Sequence, residues 1–148
     1  MRNRVEVMHG VNLDQLGRRD PLHYGTLTFD ALELRIDREA RALGLQPRFF
    51  HTNHEGEFVE HLHRLQGLAD GVLLNPGSWT HYAWSIRDAL ELAALPAVEV
   101  HLSDVHGRED FRRISVLDGL RTRIGVVSGK GPDGYGEALG LLREELAA

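Results

Sequence analysis

Apolar residues recur along this chain in two rhythms, and the alternation between them predicts its elements. Short β-rich runs stand at Val5-Glu6-Val7-Met8, Arg48-Phe49-Phe50, Val72-Leu73-Leu74, Val98-Glu99-Val100 and Ile124-Gly125-Val126-Val127, each of strand length. Between them the spacing changes to three and four. Phe29, Leu32, Ile36, Ala40 and Leu43 make one helical face, opened by Thr28 as N-cap and stopped at Gly44. Phe58, Leu62, Leu65 and Leu68 make a second, Ala83, Ile86, Leu90 and Ala93 a third, and Leu139, Leu142 and Leu146 the last. Strands separated by helices predict right-handed βαβ units and an α/β fold: a five-stranded parallel sheet in a three-layer sandwich, one domain over residues 1–148.

The unusual polar residues lie just after the strands: His9 to Asn12, His51 to Gly56, Asn75 to Gly77, and His101 to Ser103. Open parallel sheets bind ligands at the carboxyl ends of their strands, so these loops are expected to converge on one crevice.

Composition narrows the chemistry. The 148 residues contain no cysteine, which removes thiol nucleophiles and disulfides, and of 17 basic residues only Lys130 is a lysine, so any imine mechanism would rest on it alone. A chain of this length buries about 70% of its unfolded surface and holds a core without staples. The net charge of −5 and the lack of a basic run argue against nucleic acid. Val5 to Met8 is too brief for a signal-peptide core, and no apolar stretch approaches the roughly 18 residues of a membrane span, so no membrane partner and a cytoplasmic location are expected.

Three motifs fail in context. Gly129-Lys130-Gly131-Pro132-Asp133-Gly134 has dinucleotide-loop spacing, but only 14 residues follow it, too few for the next strand and its acidic residue; it reads as a tight turn seating the last helix. His51 and His54 share a turn with Glu55, but structural roles account better for isolated histidines; His61 and His63, two apart, diverge by about 200° on a helix. No metal and no cofactor are expected. Ser103-Asp104 near His101 lacks a nucleophile elbow.

What survives is a set of acid–base and anion-binding groups. Arg19 stands five residues before Tyr24 in a loop, where a guanidinium can stabilise phenolate; taken alone, Tyr24 reads better as a tyrosine packed on a loop surface. Glu99 and His101 share one face of a strand, so the carboxylate can orient the imidazole as a general acid, although a buried histidine satisfied by a carboxylate explains the pair as well. Arg108, Arg112 and Arg113 offer forked donors, and Asn12, Asn75 and His81 add neutral ones. A base, an acid, arginines and amides point to proton abstraction and elimination on a small polyhydroxylated anion.

These residues sit in longer runs: Gly10-Val11-Asn12-Leu13; Leu16-Gly17-x-Arg19-x-Pro21-x-x-Tyr24-Gly25; Asn53-His54-Glu55-Gly56-Glu57; Asn75-Pro76-Gly77-x-x-Thr80-His81; Arg87-Asp88-Ala89-Leu90; Glu99-Val100-His101-Leu102-Ser103-x-Val105-His106-x-Arg108-Glu109-x-Phe111-Arg112; and Gly129-x-Gly131-x-x-Gly134-Tyr135. In order and spacing, over nearly the whole chain, they resemble type II 3-dehydroquinate dehydratase. The resemblance implies a flavodoxin-like sheet of order 2-1-3-4-5 and cofactor-free dehydration of 3-dehydroquinate to 3-dehydroshikimate through an enol or enolate. It makes Tyr24 the base aided by Arg19, Asn12 the holder of an enolate-stabilising water, and His101, oriented by Glu99, the acid. It also makes Asn75, His81 and Arg112 binders of substrate hydroxyls, and the backbone amides of Leu102 and Ser103 binders of its carboxylate. A homododecamer, a tetramer of trimers, is the implied assembly.

The chain departs from the family's usual residues at His9, Val11, Asp14, Trp79 and Asp104, and also at Ser78, Tyr82, Trp84 and Val116. Two other readings compete: the same elimination on a different cyclic hydroxy-ketoacid, and a non-catalytic flavodoxin-like module binding a nucleotide or a protein.

Overall fold

The strands expected from the short apolar runs all form, each extending two or three residues beyond its run: β1 Arg4–His9, β2 Gln46–His51, β3 Gly71–Asn75, β4 Ala97–His101 and β5 Arg123–Ser128. They build one parallel sheet of order β2-β1-β3-β4-β5. The computed structural model describes residues 1–148 except Arg19, Pro21, His23, Tyr24 and Gly25, and for His106 the backbone alone. The assignments to Arg19 and Tyr24 therefore lie outside the described residues.

Helices α1 Phe29–Ala42, α2 Glu55–His63, α3 Trp84–Ala93 and α4 Asp133–Ala147 cover the sheet. Thr28 caps α1 as its sequence position implies, its hydroxyl accepting from the Ala31 N–H at 3.2 Å. Two expectations need correction. The second helix ends at His63, short of Leu65 and Leu68; Leu65 stays buried in the turn that follows, while Leu68 is 48% exposed. Three-residue spacing survives a tight turn, so periodicity alone overran the end. Further along, β4 and β5 are joined by no α-helix but by 3₁₀ turns at Val105–Gly107 and Asp110–Arg113. That stretch is rich in charge and too sparse in apolar residues to bury a helical face.

Alternation along each strand serves two cores. Val5 and Val7 of β1, Leu73 of β3, Val98 and Val100 of β4 and Val127 of β5 pack on one side beneath Leu32 and Ile36 of α1 and Leu139 and Leu142 of α4. Met8, Val72, Leu74 and Ala97 pack on the other beneath Phe58 and Leu62 of α2 and Ile86 and Leu90 of α3. Burial on both faces is what a parallel sheet with helical crossovers requires. The odd-numbered positions of β4 continue this pattern, so Glu99 and His101 face the α2–α3 side with Ala97.

Glycine permits the approach that closes the top of the sheet. The Gly10 N–H donates to the Asn75 carbonyl at 2.7 Å, and a Cβ there would lie 2.3 Å from the Pro76 oxygen. At Gly77, whose φ is +68°, a Cβ would lie 2.6 Å from the Val11 oxygen. The loops after β1 and β3 thus meet backbone to backbone, which brings Asn12 and Asn75 to one wall. Among the described residues, no helix is long and apolar enough to cross a membrane.

Candidate active site

A cavity opens at the carboxyl ends of the strands. It gathers Asn12 after β1, Asn75 at the end of β3, His81 from the 3₁₀ turn Gly77–His81, and His101, Leu102 and Ser103 at and beyond the end of β4; Arg108 and Arg112 complete it. Asn75, His81, Leu102, Ser103 and Arg112, the substrate binders that the resemblance implies, therefore all line it. Arg113 does not: it lines a neighbouring cavity, and its side chain is 59% exposed. Arg112 lines both cavities and Arg113 the neighbouring one, since consecutive side chains of a 3₁₀ turn diverge.

Glu99 sits one layer below His101. The carboxylate is fully buried and accepts from the imidazole Nε2 of His101 at 2.6 Å. The nitrogen of His101 not held by Glu99 is Nδ1. Three further donors converge on the same carboxylate: the Thr80 hydroxyl at 2.6 Å, the Ser115 hydroxyl at 3.0 Å from each oxygen, and the Arg123 guanidinium at 2.7 Å. Burial alone would raise the pKa of Glu99. The hydrogen bonds and charges of His101, Thr80 and Arg123 outweigh it and hold the group near 2 instead of the ordinary 4.5. Sequence pattern pairs Glu99 with His101 but gives no sign of Thr80, Ser115 or Arg123, which come from three separate elements.

A depressed carboxylate pKa stabilises the fold above the unfolded-state value, and that contribution is lost as pH falls through the folded one. Glu99→Gln is accordingly expected to lower stability by a few kcal/mol at neutral pH, in line with losing the charge of a buried pair. The gap between wild type and variant should then close between about pH 4.5 and pH 2. Urea unfolding followed by circular dichroism across that range measures it; a gap independent of pH contradicts the charged assignment.

His81 donates Nδ1–H to the Ile114 carbonyl at 2.7 Å. Burial lowers its pKa, with the positive charges of His101 and Arg112 acting in the same direction and the hydrogen bond to Ile114 opposing. A neutral His81 with Nδ1 protonated presents Nε2 as an acceptor for a hydroxyl. Its ring lies 6.5 Å from that of His101, centroid to centroid. Asn75 is fixed from both ends of its amide: the nitrogen donates to the Tyr135 hydroxyl at 3.3 Å, and the oxygen accepts the Gly77 N–H at 3.0 Å. Arg112 is held by Glu109 at 2.5 Å, with its guanidinium carbon 4.8 Å from the centroid of the Phe111 ring.

The glycine run before α4 acts on this site through its backbone. Gly129 N–H donates to the Ser103 carbonyl and Gly131 N–H to the Leu102 carbonyl, each at 3.0 Å, so the turn that seats α4 also fixes the loop after β4. Asn12 adopts a left-handed φ of 69° and donates its N–H to the Asn53 side chain at 2.7 Å. Asn53 in turn reaches Asp14 at 3.3 Å. His9 is wholly buried, 3.1 Å from Glu33, and burial lowers its pKa. Of the unusual residues, only Val11 and Ser78 line the cavity; Trp79 is buried against Phe58, with ring centroids 5.6 Å apart. Among the described residues, no group of three or more histidines or carboxylates is arranged to hold a metal ion.

The family profile described as "Dehydroquinase class II" matches residues 3–143, nearly the whole chain. The chain belongs to the class II dehydroquinases. This dehydroquinase is 45% identical over 133 residues to the 3-dehydroquinate dehydratase of Syntrophotalea carbinolica, spanning 89% of this chain and 88% of that one. It is 42% identical over 146 residues to the 3-dehydroquinate dehydratase 2 of Pseudomonas putida, spanning 99% and 97%. The type II dehydroquinase structure from Propionibacterium acnes superposes with a TM-score of 0.90 at 37% identity, covering 97% of this chain and 98% of that one. The sheet order and helical layers agree with that fold, as the sequence resemblance implied.

Proposed function

We propose that this dehydroquinase dehydrates 3-dehydroquinate to 3-dehydroshikimate by acid–base elimination, with residues 1–148 acting as one catalytic unit. The observation that carries the reading is His101, backed by the buried Glu99, in a cavity that also holds Asn12, Asn75, His81, Ser103 and Arg112. A module that only bound a nucleotide or a protein would have no use for an imidazole held against a carboxylate buried at such cost.

Tyr24, as phenolate favoured by Arg19, removes a proton from the carbon beside the ketone. The electron pair moves onto the ketone oxygen, and a water on Asn12 stabilises the enolate. As the enolate collapses, the carbon–oxygen bond of the tertiary hydroxyl breaks, and His101 delivers a proton from Nδ1 so that water leaves. Glu99 fixes the tautomer that keeps Nδ1 toward the cavity and stabilises the imidazolium. Asn75, His81 and Arg112 hold the ring hydroxyls, and the amides of Leu102 and Ser103 take the carboxylate. Lys130 is engaged by Glu137 at 2.6 Å and lines none of this cavity, which supports elimination without an imine.

The enzyme works in the cytoplasm on this small polyhydroxylated anion, in aromatic amino-acid biosynthesis through the shikimate pathway or in quinate degradation. It assembles as a dodecamer of four trimers, and the exposed Tyr82, Trp84, Phe111 and Ile114 are the surface such an assembly would cover. Val11 in the cavity wall favours weighing a second substrate, another cyclic hydroxy-ketoacid. Comparing kcat/KM for 3-dehydroquinate with analogues lacking the carboxylate or one ring hydroxyl separates the two readings. The highest value is expected for 3-dehydroquinate; a tenfold preference for an analogue overturns the substrate assignment. Borohydride added during turnover is expected to leave the protein mass unchanged, and a substrate adduct on Lys130 overturns the mechanism.

A further inference from the structure

The buried carboxylate beside His101 has a partner that an orienting role does not require. Arg123 stands at the start of β5, and its guanidinium donates at 2.7 Å to Oε1 of Glu99, the oxygen not hydrogen-bonded to His101. Its presence there depends on an irregularity in the sheet. Arg123 pairs with Ala97, but the next pair is Val98 with Gly125, so β5 carries one extra residue, Ile124, at that point. From there the register runs regularly to Glu99 opposite Val126 and His101 opposite Ser128.

Paired residues of parallel strands project to the same face, and a one-residue slip exchanges faces. Arg123 is three residues from Val126, an odd number. Without the extra residue it would project away from Glu99; with it, Arg123 shares the face of Ala97 and Glu99. The bulge therefore places a positive charge on the far side of the carboxylate that serves His101. There it lines a second cavity, together with Thr80, Ser115 and Asp118.

We infer that Arg123 is a positioning residue that divides the charge of Glu99 between itself and His101, and so sets how readily the imidazolium gives up its proton. The inference rests on His101 acting as the acid of the proposed elimination. A carboxylate facing imidazolium alone would make it a very weak acid, slow to protonate a leaving hydroxyl; a carboxylate already half-neutralised leaves it more willing. Among the described residues, the other charged or titratable groups around His101 are His81 from the turn after β3, Arg108 and Arg112 in the main cavity, and Arg113 and Asp118 in the second one. All of these are retained when Arg123 alone is changed. Asp118 also holds Arg123, at 3.0 Å, and so competes with Glu99 for it.

The test is the titration of His101 by NMR of histidine-labelled protein, its resonance assigned by loss in His101→Gln. Arg123→Gln keeps a donor but removes the charge, and Arg123→Met removes both. Each is expected to raise the midpoint of His101 by about one pH unit, while Arg123→Lys stays near wild type. The alkaline limb of the kcat/KM profile should move up with it. Thr80 and Ser115 still satisfy Glu99 in these variants, so the fold is expected to hold. If they do not fold, Asp118→Asn, a change at the surface, is expected to move the midpoint down by a few tenths of a unit.

A His101 midpoint unchanged in folded Arg123→Gln, or unmoved in Asp118→Asn, overturns the inference. A raised midpoint with an unmoved rate profile supports the charge coupling and counts against His101 as the catalytic acid. That outcome separates the two claims.

Discussion

His101→Ala is expected to lower kcat by about 10²–10⁴-fold, the usual worth of a general acid, with KM changed less than threefold. The structure says why the loss should be clean. Glu99 keeps Thr80, Ser115 and Arg123 as donors when the imidazole is removed, so no buried charge is left unpaired and the fold should survive. Asn75 and His81 are anchored by Gly77, Tyr135 and Ile114, none of which depends on His101, so substrate binding should persist. Circular dichroism and steady-state kinetics on the same preparation check both halves. A variant that folds and turns over within tenfold of wild type removes His101 from the acid role.

Tyr24→Phe is expected to cost at least as much, because under the proposed roles it deletes the base and only the base. Loss of one hydroxyl leaves every described residue of the cavity in place, so kcat should fall by about 10²–10⁴-fold with KM nearly constant. A phenol titrates near 10 when unperturbed and is a poor base at neutrality. On the proposed role of Arg19 in favouring the phenolate, Arg19→Met should move the acid limb of the pH–rate profile upward. Rapid isotope exchange at the carbon beside the ketone, followed in deuterated water, reports proton abstraction directly and should vanish in Tyr24→Phe. Exchange at the wild-type rate would give the base role to another group.

The strands are legible in the sequence because each is a short apolar run followed by a polar turn, and helices between the first four make them parallel, while the strand order came from the family resemblance. Where legibility ended, the cause is physical. Apolar spacing cannot distinguish a helix from the tight turn that holds Leu65, and the stretch from Leu102 to Thr122 carries turns whose burial comes from other elements. In the site, Glu99 and His101 were readable because two residues apart on a strand share a face. Thr80, Ser115 and Arg123 were not, since their convergence depends on loop packing and on an extra residue in β5. Arg113 shares the second cavity with Arg112 but does not line the main one, a distinction that adjacency in sequence does not reveal. The glycine run before α4 was readable as a turn, but its hold on Leu102 and Ser103 appears only in three dimensions.

The central claim, elimination of water from 3-dehydroquinate, has a direct optical readout, since the product carries a carbon–carbon double bond conjugated with its ketone and the substrate does not. Purified protein mixed with 3-dehydroquinate is expected to produce a steady rise in enone absorbance that scales with enzyme concentration, is unaffected by chelator, and is absent with His101→Ala at equal concentration. A flat trace from folded wild-type protein, or an equal rise from His101→Ala, would contradict the assignment.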